Sequence, residues 1–345
     1  MTALGRAASL ADVGRPAAGE RAPAREGDPI AAAPARASVS TRWRRGPTVP
    51  VRVAFAVVVT LAAIAVLVVV LAGRRGQFST AVLTAPLWLL GIAAVLHLVS
   101  LVTRSEAWNF CMRSAGGSTP RRLVFRAAGL GALGSVLSAQ LGVATRIGAI
   151  RRTAPATSPR VAALVLAEVP IIAVEATLAA LFAFTLVGPL RLPLWAPLPA
   201  IALMVGVMAS MRGLARHHLA GAWRGLAAFR EVRGRGRLVA LVVLGILAQI
   251  ARNWLVLRAV GLDTSPFNAI AVLIVSVCLS PLPVGAGVSA TATVLVLGSH
   301  GIADTAAAGV LLTVTATTAA LCYATWACGD HALTAVRRRR AAALA

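Results

Sequence analysis

Two glutamates, Glu168 and Glu175, stand seven residues apart in an otherwise uncharged stretch, Val161–Val187, which holds 14 residues of Val, Leu, Ile or Phe. A spacing of seven puts both carboxylates on one face of a helix, and Pro170 between them predicts a kink. In a membrane each of those 14 side chains contributes roughly −0.3 to −0.6 kcal/mol, while a carboxylate costs about +2.5 to +3.5 kcal/mol. Two carboxylates therefore cancel most of the gain, so they must face protein or water, or be protonated. Arg252 is the natural partner, in the apolar stretch Leu238–Leu257, with Gln249 three residues before it and Asn253 after it. Glu175 and Arg252 each lie 14 residues from the start of their stretch, roughly 21 Å at helical rise. Matched depth predicts a buried Glu175–Arg252 pair. Such a pair can serve packing alone, or line a polar cavity in which a freed carboxylate takes up a proton.

A second feature is Ser280–Ala290, which reads Ser-Pro-Leu-Pro-Val-Gly-Ala-Gly-Val-Ser-Ala. Pro281 and Pro283 cannot donate backbone hydrogen bonds, and Gly285 and Gly287 tolerate conformations that end helices. Hydrocarbon has no water for the freed backbone groups, so such a break persists only inside protein or beside a wet cavity. Depth counting from Pro266 puts Pro281 about 23 Å along the helix, and the helix after the break is short. Both counts place a helix start near Gly285–Ser289 within the inner half of the membrane, where its unpaired N–H groups attract anions such as phosphate. Arg146 is expected to approach it from the same side. A kinked structural helix is the plainer reading of the same residues.

These groups must be positioned by membrane helices. The 345-residue chain is 58% hydrophobic and 13% charged, with mean hydropathy +0.82, which a soluble protein of this length cannot bury. Its net charge of +23 comes from 34 basic residues, all arginine. Arginine without lysine, beside so much alanine and glycine, reads as the codon bias of a GC-rich bacterium, so nucleic acid is not an expected partner. The four cysteines lack metal or disulfide spacing, and His97 and His300, the histidines near membrane level, each stand alone. No metal, cofactor or nucleophile–base pair is expected, and the chain is not read as an enzyme.

Residues 1–50 have no apolar period and read as a disordered Arg/Ala/Pro-rich tail. A polytopic membrane domain follows at 51–330, then a basic C-terminal tail at 331–345. Apolar stretches at Val53–Gly73, Ala81–Thr103, Val161–Val187, Leu192–Met211, Leu238–Leu257, Pro266–Pro283, Ala286–Gly298 and Ala303–Ala327 predict about eight spanning helices. Glycine-rich Ala127–Thr145 is expected to be re-entrant. With that segment returning to its own side, one set of loops and tails carries +22 and the other +2, which places both termini in the cytoplasm of a bacterial plasma membrane. Trp108, Trp195, Trp223 and Trp326 fall near segment ends, as an aromatic belt would put them. Leu219, Trp223 and Leu226 predict a helix lying on the inner leaflet or a solvated basic loop. Gly129-Leu-Gly131-Ala-Leu-Gly134 matches a dinucleotide fingerprint in letters alone. Without a strand or βαβ unit it predicts close helix packing or a re-entrant turn.

Over approximately residues 50–330 the chain resembles the transmembrane region of lysylphosphatidylglycerol synthases. Arg104 and Trp108 resemble that family's Arg/Trp pair. Gly142 and Arg146 resemble its Gly-Glu-x-x-Arg stretch, with Val143 at the glutamate. Glu168 resembles its embedded Glu-Arg, with Val169 at the arginine, and Pro283-Val-Gly285-Ala-Gly287 resembles its Pro-Gly-Gly-x-Gly-x-x-Glu, with Ala290 at the last position. The resemblance implies a membrane protein that binds and flips phospholipid or another lipid phosphate between leaflets, with anionic lipid as partner. Arg146, Gly285, Gly287 and Ser289 would hold the headgroup, and Glu168, Glu175, Gln249 and Arg252 would form the polar interior. Pro170, Pro281 and Pro283 would supply the breaks. No stretch matches the synthases' soluble aminoacyltransferase domain, so aminoacyl transfer by this chain alone is not expected. The alternative is a non-transporting scaffold or regulatory subunit of a lipid or cell-envelope system, which leaves a protein partner open.

Overall fold

The computed structural model describes residues 65, 73–154, 160–217, 232–280 and 287–344. These all belong to one compact unit, and every regular element among them is helical. The tail at 1–50, most of Val53–Gly73, the amphipathic stretch around Leu219, Trp223 and Leu226, and Pro281, Pro283 and Gly285 lie outside the described residues. The helices are α1 (Arg75–Leu83), α2 (Leu87–Ser114), α3 (Arg121–Leu137), α4 (Ala139–Thr153), α5 (Val161–Leu166) and α6 (Val169–Leu181). After a 3-10 turn at Ala183–Leu186 come α7 (Pro197–His217), α8 (Val232–Ala259), α9 (Pro266–Leu279), α10 (Gly287–Leu297) and α11 (Ile302–Leu344).

Five of these stretches are long and apolar enough to cross a membrane: Leu87–Ser114, Val161–Leu181, Pro197–Leu214, Arg235–Ala259 and Ile302–Val336. Pro266–Leu279 and Gly287–His300 are shorter apolar helices. The chain is thus a multi-pass membrane protein, with five such spans among the described residues; the expected Val53–Gly73 span lies almost wholly outside them. Boundaries read from hydropathy also move. The expected Ala81–Thr103 splits at Thr84–Pro86, because Pro86 cannot continue α1, and α2 then runs on through Arg104, Glu106 and Arg113 to Ser114. The basic C-terminal stretch is helical too, since α11 continues to Leu344.

The α2–α8 pair forms the spine of the bundle, with α11 and the α3–α4 hairpin against one flank and α6 against the other. Lipid gives helices no hydrophobic reason to associate, so close backbone approach and polar contacts carry the packing. A methyl added at Gly131 would sit 2.9 Å from the Gly142 carbonyl, and one at Gly134 would sit 2.9 Å from the Leu141 carbonyl. At Gly129 it would meet Ala327 at 2.8 Å. The letters of the dinucleotide fingerprint are therefore a helix-packing face. In α11 the hydroxyls of Thr305, Thr313, Thr315 and Thr318 return to carbonyls four residues back, which satisfies polar groups that hydrocarbon would not.

The two ends of the bundle differ in charge. At one end Glu106 of α2 holds Arg121 at the start of α3 (2.9 Å) and Arg237 near the start of α8 (3.0 Å). There too Asp330 of α11 holds Arg122 and Arg126 of α3. At the opposite end a core cluster joins Ala85, Leu257, Leu262, Ala269 and Leu297. Glu106 and Asp330 were not counted among membrane-level carboxylates, because the helices carrying them are longer than their apolar cores.

Candidate functional site

Two helical hairpins enter the bundle from opposite ends. The α3–α4 hairpin starts and finishes at the basic end and turns on one extended residue, Ser138 (φ −162°, ψ 150°). Serine suits this position because its hydroxyl accepts from the Leu141 N–H at 3.2 Å, capping α4. The expected re-entrant segment is therefore a hairpin, longer at both ends than Ala127–Thr145. The α9–α10 hairpin starts and finishes at the other end, with α9 ending at Leu279. Gly287 opens α10 and Ser289 is its third residue.

The hairpin ends meet at a cavity of about 340 Å³ whose lining includes Ser138 and Ala139 from one, Ser280 and Ser289 from the other, and His97 and Arg252 from the spine. His97 lies ten residues into α2 and Ser289 eight residues before the end of α10. At helical rise these are about 15 Å and 12 Å from the non-basic end. Both hairpin ends therefore lie well inside a roughly 30 Å core, α9 alone running 14 residues before it ends at Leu279.

Arg252 is 6% exposed. Its Nη1 donates to Gln249 Oε1 (2.7 Å) and His97 Nδ1 (2.8 Å), and its Nη2 to the Leu312 carbonyl (2.8 Å). A guanidinium has no acceptor, so His97 Nδ1 accepts and the ring proton sits on Nε2. Gln249 also donates to the Ser100 hydroxyl at 3.2 Å. Arg252 Nε is buried without a partner. Among the described residues no carboxylate lies within 4.0 Å of this arginine. The cavity therefore joins an uncompensated buried cation to two helix N-termini, whose partial positive charge has the same sign.

Glu175 does not meet Arg252. It pairs with Arg104 of α2, and the two line a mostly apolar groove of about 180 Å³ with Ser100, Thr103 and Gln249. Arg104 and His97 are seven residues apart on one face of α2, so the Glu175 and Arg252 levels differ by about 10 Å. The equal counts misled because α8 begins six residues before Leu238, at Val232, and the helix carrying Glu175 is interrupted at Ala167–Glu168. That interruption lies one residue before Pro170, the expected kink. Glu168 sits in it, 4% exposed, and forms an ion pair with Arg146 of α4. The Arg146 guanidinium lies 4.1 Å from the ring of Trp108. Arg146 is consequently in the core and not at Ser289, and fully buried Trp108 belongs to that core rather than to an interfacial belt. Trp195 and Trp326 are exposed.

Of the expected polar interior, Gln249 and Arg252 share one cluster, Glu175 opens onto the neighbouring groove, and Glu168 pairs elsewhere. Neither His97 nor Ser138 was singled out from the sequence. His97 was read as standing alone, although its helical register with Ser100 and Arg104 was a usable signal.

No curated protein and no solved structure matches the chain at a significant level. The family model described as the lysylphosphatidylglycerol synthase TM region matches residues 45–325. That match takes in both hairpins, the spine and all the ion pairs of the site except those of Asp330, and it makes this chain a member of the lysylphosphatidylglycerol synthase transmembrane family.

Proposed function

We propose that the chain binds the phosphate headgroup of a membrane lipid in the cavity between the hairpin ends and carries it between leaflets. The observation that bears most weight is Arg252, buried beside that cavity with a free Nε and, among the described residues, no carboxylate partner. A buried cation without a counter-ion is costly unless an anion can reach it. Gly287, Ser289 and the Ser138 cap add N–H and hydroxyl donors, the usual cradle for phosphate oxygens, and Gly285 and the prolines fall in the segment that joins α9 to α10.

In this reading the Arg104–Glu175 pair guards the adjoining groove, since both side chains are partly exposed (40% and 26%) and a lipid phosphate can compete with Glu175 for Arg104. Gln249 borders both spaces and hands the headgroup from one to the other. The Arg146–Glu168–Trp108 cluster braces the α3–α4 hairpin rather than touching substrate. The arginine-rich end faces the cytoplasm, by the excess of arginine in loops on that side.

The test is transport by the full chain purified into liposomes, read as loss of protection of fluorescent phosphatidylglycerol, phosphatidic acid and phosphatidylcholine from an external quencher. Acceleration with at least one phosphate lipid, lost in Arg252→Gln, supports the reading. No acceleration with any of the three, together with a protein subunit that co-purifies in fixed ratio, would replace it with the scaffold.

A further inference from the structure

The α3–α4 hairpin uses its glycines unevenly. Gly131, Gly134 and Gly142 are pressed against neighbouring backbone, whereas a methyl at Gly148 of α4 would meet nothing within 4 Å. Gly148 is the floor of a separate groove of about 640 Å³ between the hairpin and α11, within the size range of ligand pockets. The groove shares no lining residue with the hairpin-end cavity.

Its polarity runs in one direction. Leu130 and Ala144 line the deep part, while Arg126, Arg152 and His331 line the mouth at the basic end. From Ala144 to Arg152 is roughly 12 Å along α4 at 1.5 Å per residue. The mouth is positive: Arg122, Arg126 and Arg152 stand against the single carboxylate of Asp330, which Arg122 and Arg126 already occupy. Arg152 is exposed and has no carboxylate within 4.0 Å among the described residues. An apolar slot that ends in an excess of positive charge, with Arg152 lacking a carboxylate, at the edge of a membrane fits a molecule with an acyl tail and an anionic head, and basic clefts between helices hold such lipids.

We infer that this groove is a binding site for an anionic glycerophospholipid of the leaflet at the basic end, with an acyl chain over Gly148 and the phosphate at Arg152 and His331. The bound lipid ties α4 to α11 where no side chain among the described residues fills the gap. This holds whether or not the chain transports lipid.

The test is thermal unfolding of the purified full chain in a zwitterionic detergent, titrated with phosphatidylglycerol, phosphatidylcholine of the same acyl chains, or inorganic phosphate. Phosphatidylglycerol should raise Tm saturably, as a ligand bound only to the folded state does, and the other two should not. Arg152→Gln should weaken the apparent affinity about five-fold or more. Gly148→Phe, which fills the slot, should weaken the response as Arg152→Gln does, without lowering Tm in lipid-free detergent. The weakening by Arg152→Gln should persist in an Arg252→Gln background, so failure here is separable from failure of transport. An equal response to phosphatidylcholine, one reproduced by inorganic phosphate, or unchanged affinity in Arg152→Gln would overturn the site. If Gly148→Phe fails to fold, Arg152→Gln and the lipid series decide.

Discussion

Arg252 donates in three directions and meets no carboxylate among the described residues. That fork depends on a planar guanidinium, which lysine cannot reproduce. Arg252→Gln should reduce lipid transport in liposomes about ten-fold or more, equivalent to about 1.4 kcal/mol or more of headgroup binding. Arg252→Lys should recover little of it, and full recovery would mean that charge alone matters there. The two glutamates predict opposite responses. Arg146 and Glu168 are buried against each other, so Glu168→Gln should cost about 3–5 kcal/mol of stability by leaving a buried cation unpaired. The double change Arg146→Met with Glu168→Leu should recover most of that loss in thermal unfolding. Partly exposed Arg104 and Glu175 should cost less to separate than the buried Arg146–Glu168 pair. Residue types that cannot sit in lipid unaided were legible from the amino acids alone. Their pairing was not, because it depends on rotation about each helix and on where each helix truly starts, and neither follows from the edge of an apolar run.

At the scale of elements the hairpins carry the design. The α3–α4 turn works because three glycines let two helices touch along their length and a single serine caps the return. Gly131→Val should therefore separate the helices and lower the yield of folded protein sharply, by size-exclusion profile, whereas Gly148→Ala should be silent. Equal loss in both would mean that helix propensity and not contact decides. The opposing hairpin is closed against α11 by Gly309, where a methyl would run into the backbone of Ala290 and lie 2.5 Å from the Thr293 hydroxyl. The alanine at 290 fits that crossing, since the position is filled by a neighbouring helix. A re-entrant Ala127–Thr145 and a break at 281–287 could both be read in advance, from glycine density and from paired prolines. That their ends share one cavity could not, since it depends on contacts between residues more than a hundred positions apart.

For the molecule as a whole, the meeting of the hairpin ends is the arrangement that transport would have to open. In a variant lacking Cys278, Cys322 and Cys328, which are exposed, cysteines placed at Ser138 and Ser289 should be joined by a short bis-maleimide. The joined protein should stop moving lipid while its single-cysteine parents continue. Transport that survives quantitative joining would show that the two ends need not separate. Membrane class was legible from composition, and the match over residues 45–325 agrees with motifs that are spread through both hairpins and the spine. Five long apolar helices and two shorter ones stand among the described residues, with bounds that differ from the apolar runs, because a run of apolar residues does not by itself set where a helix starts and stops.

Two hairpins that each go only part of the way also divide the membrane's electric field. A phosphate at Arg252 has one hairpin between it and either bulk phase, so its journey is split into two charge movements, each feeling a fraction of the potential. A full crossing by one elementary charge is worth about 2.3 kcal/mol per 100 mV. Flux of phosphatidylglycerol should accordingly change with an imposed potassium diffusion potential and reverse its preferred direction with the sign of that potential. Flux of net-neutral phosphatidylcholine, if carried, should not respond.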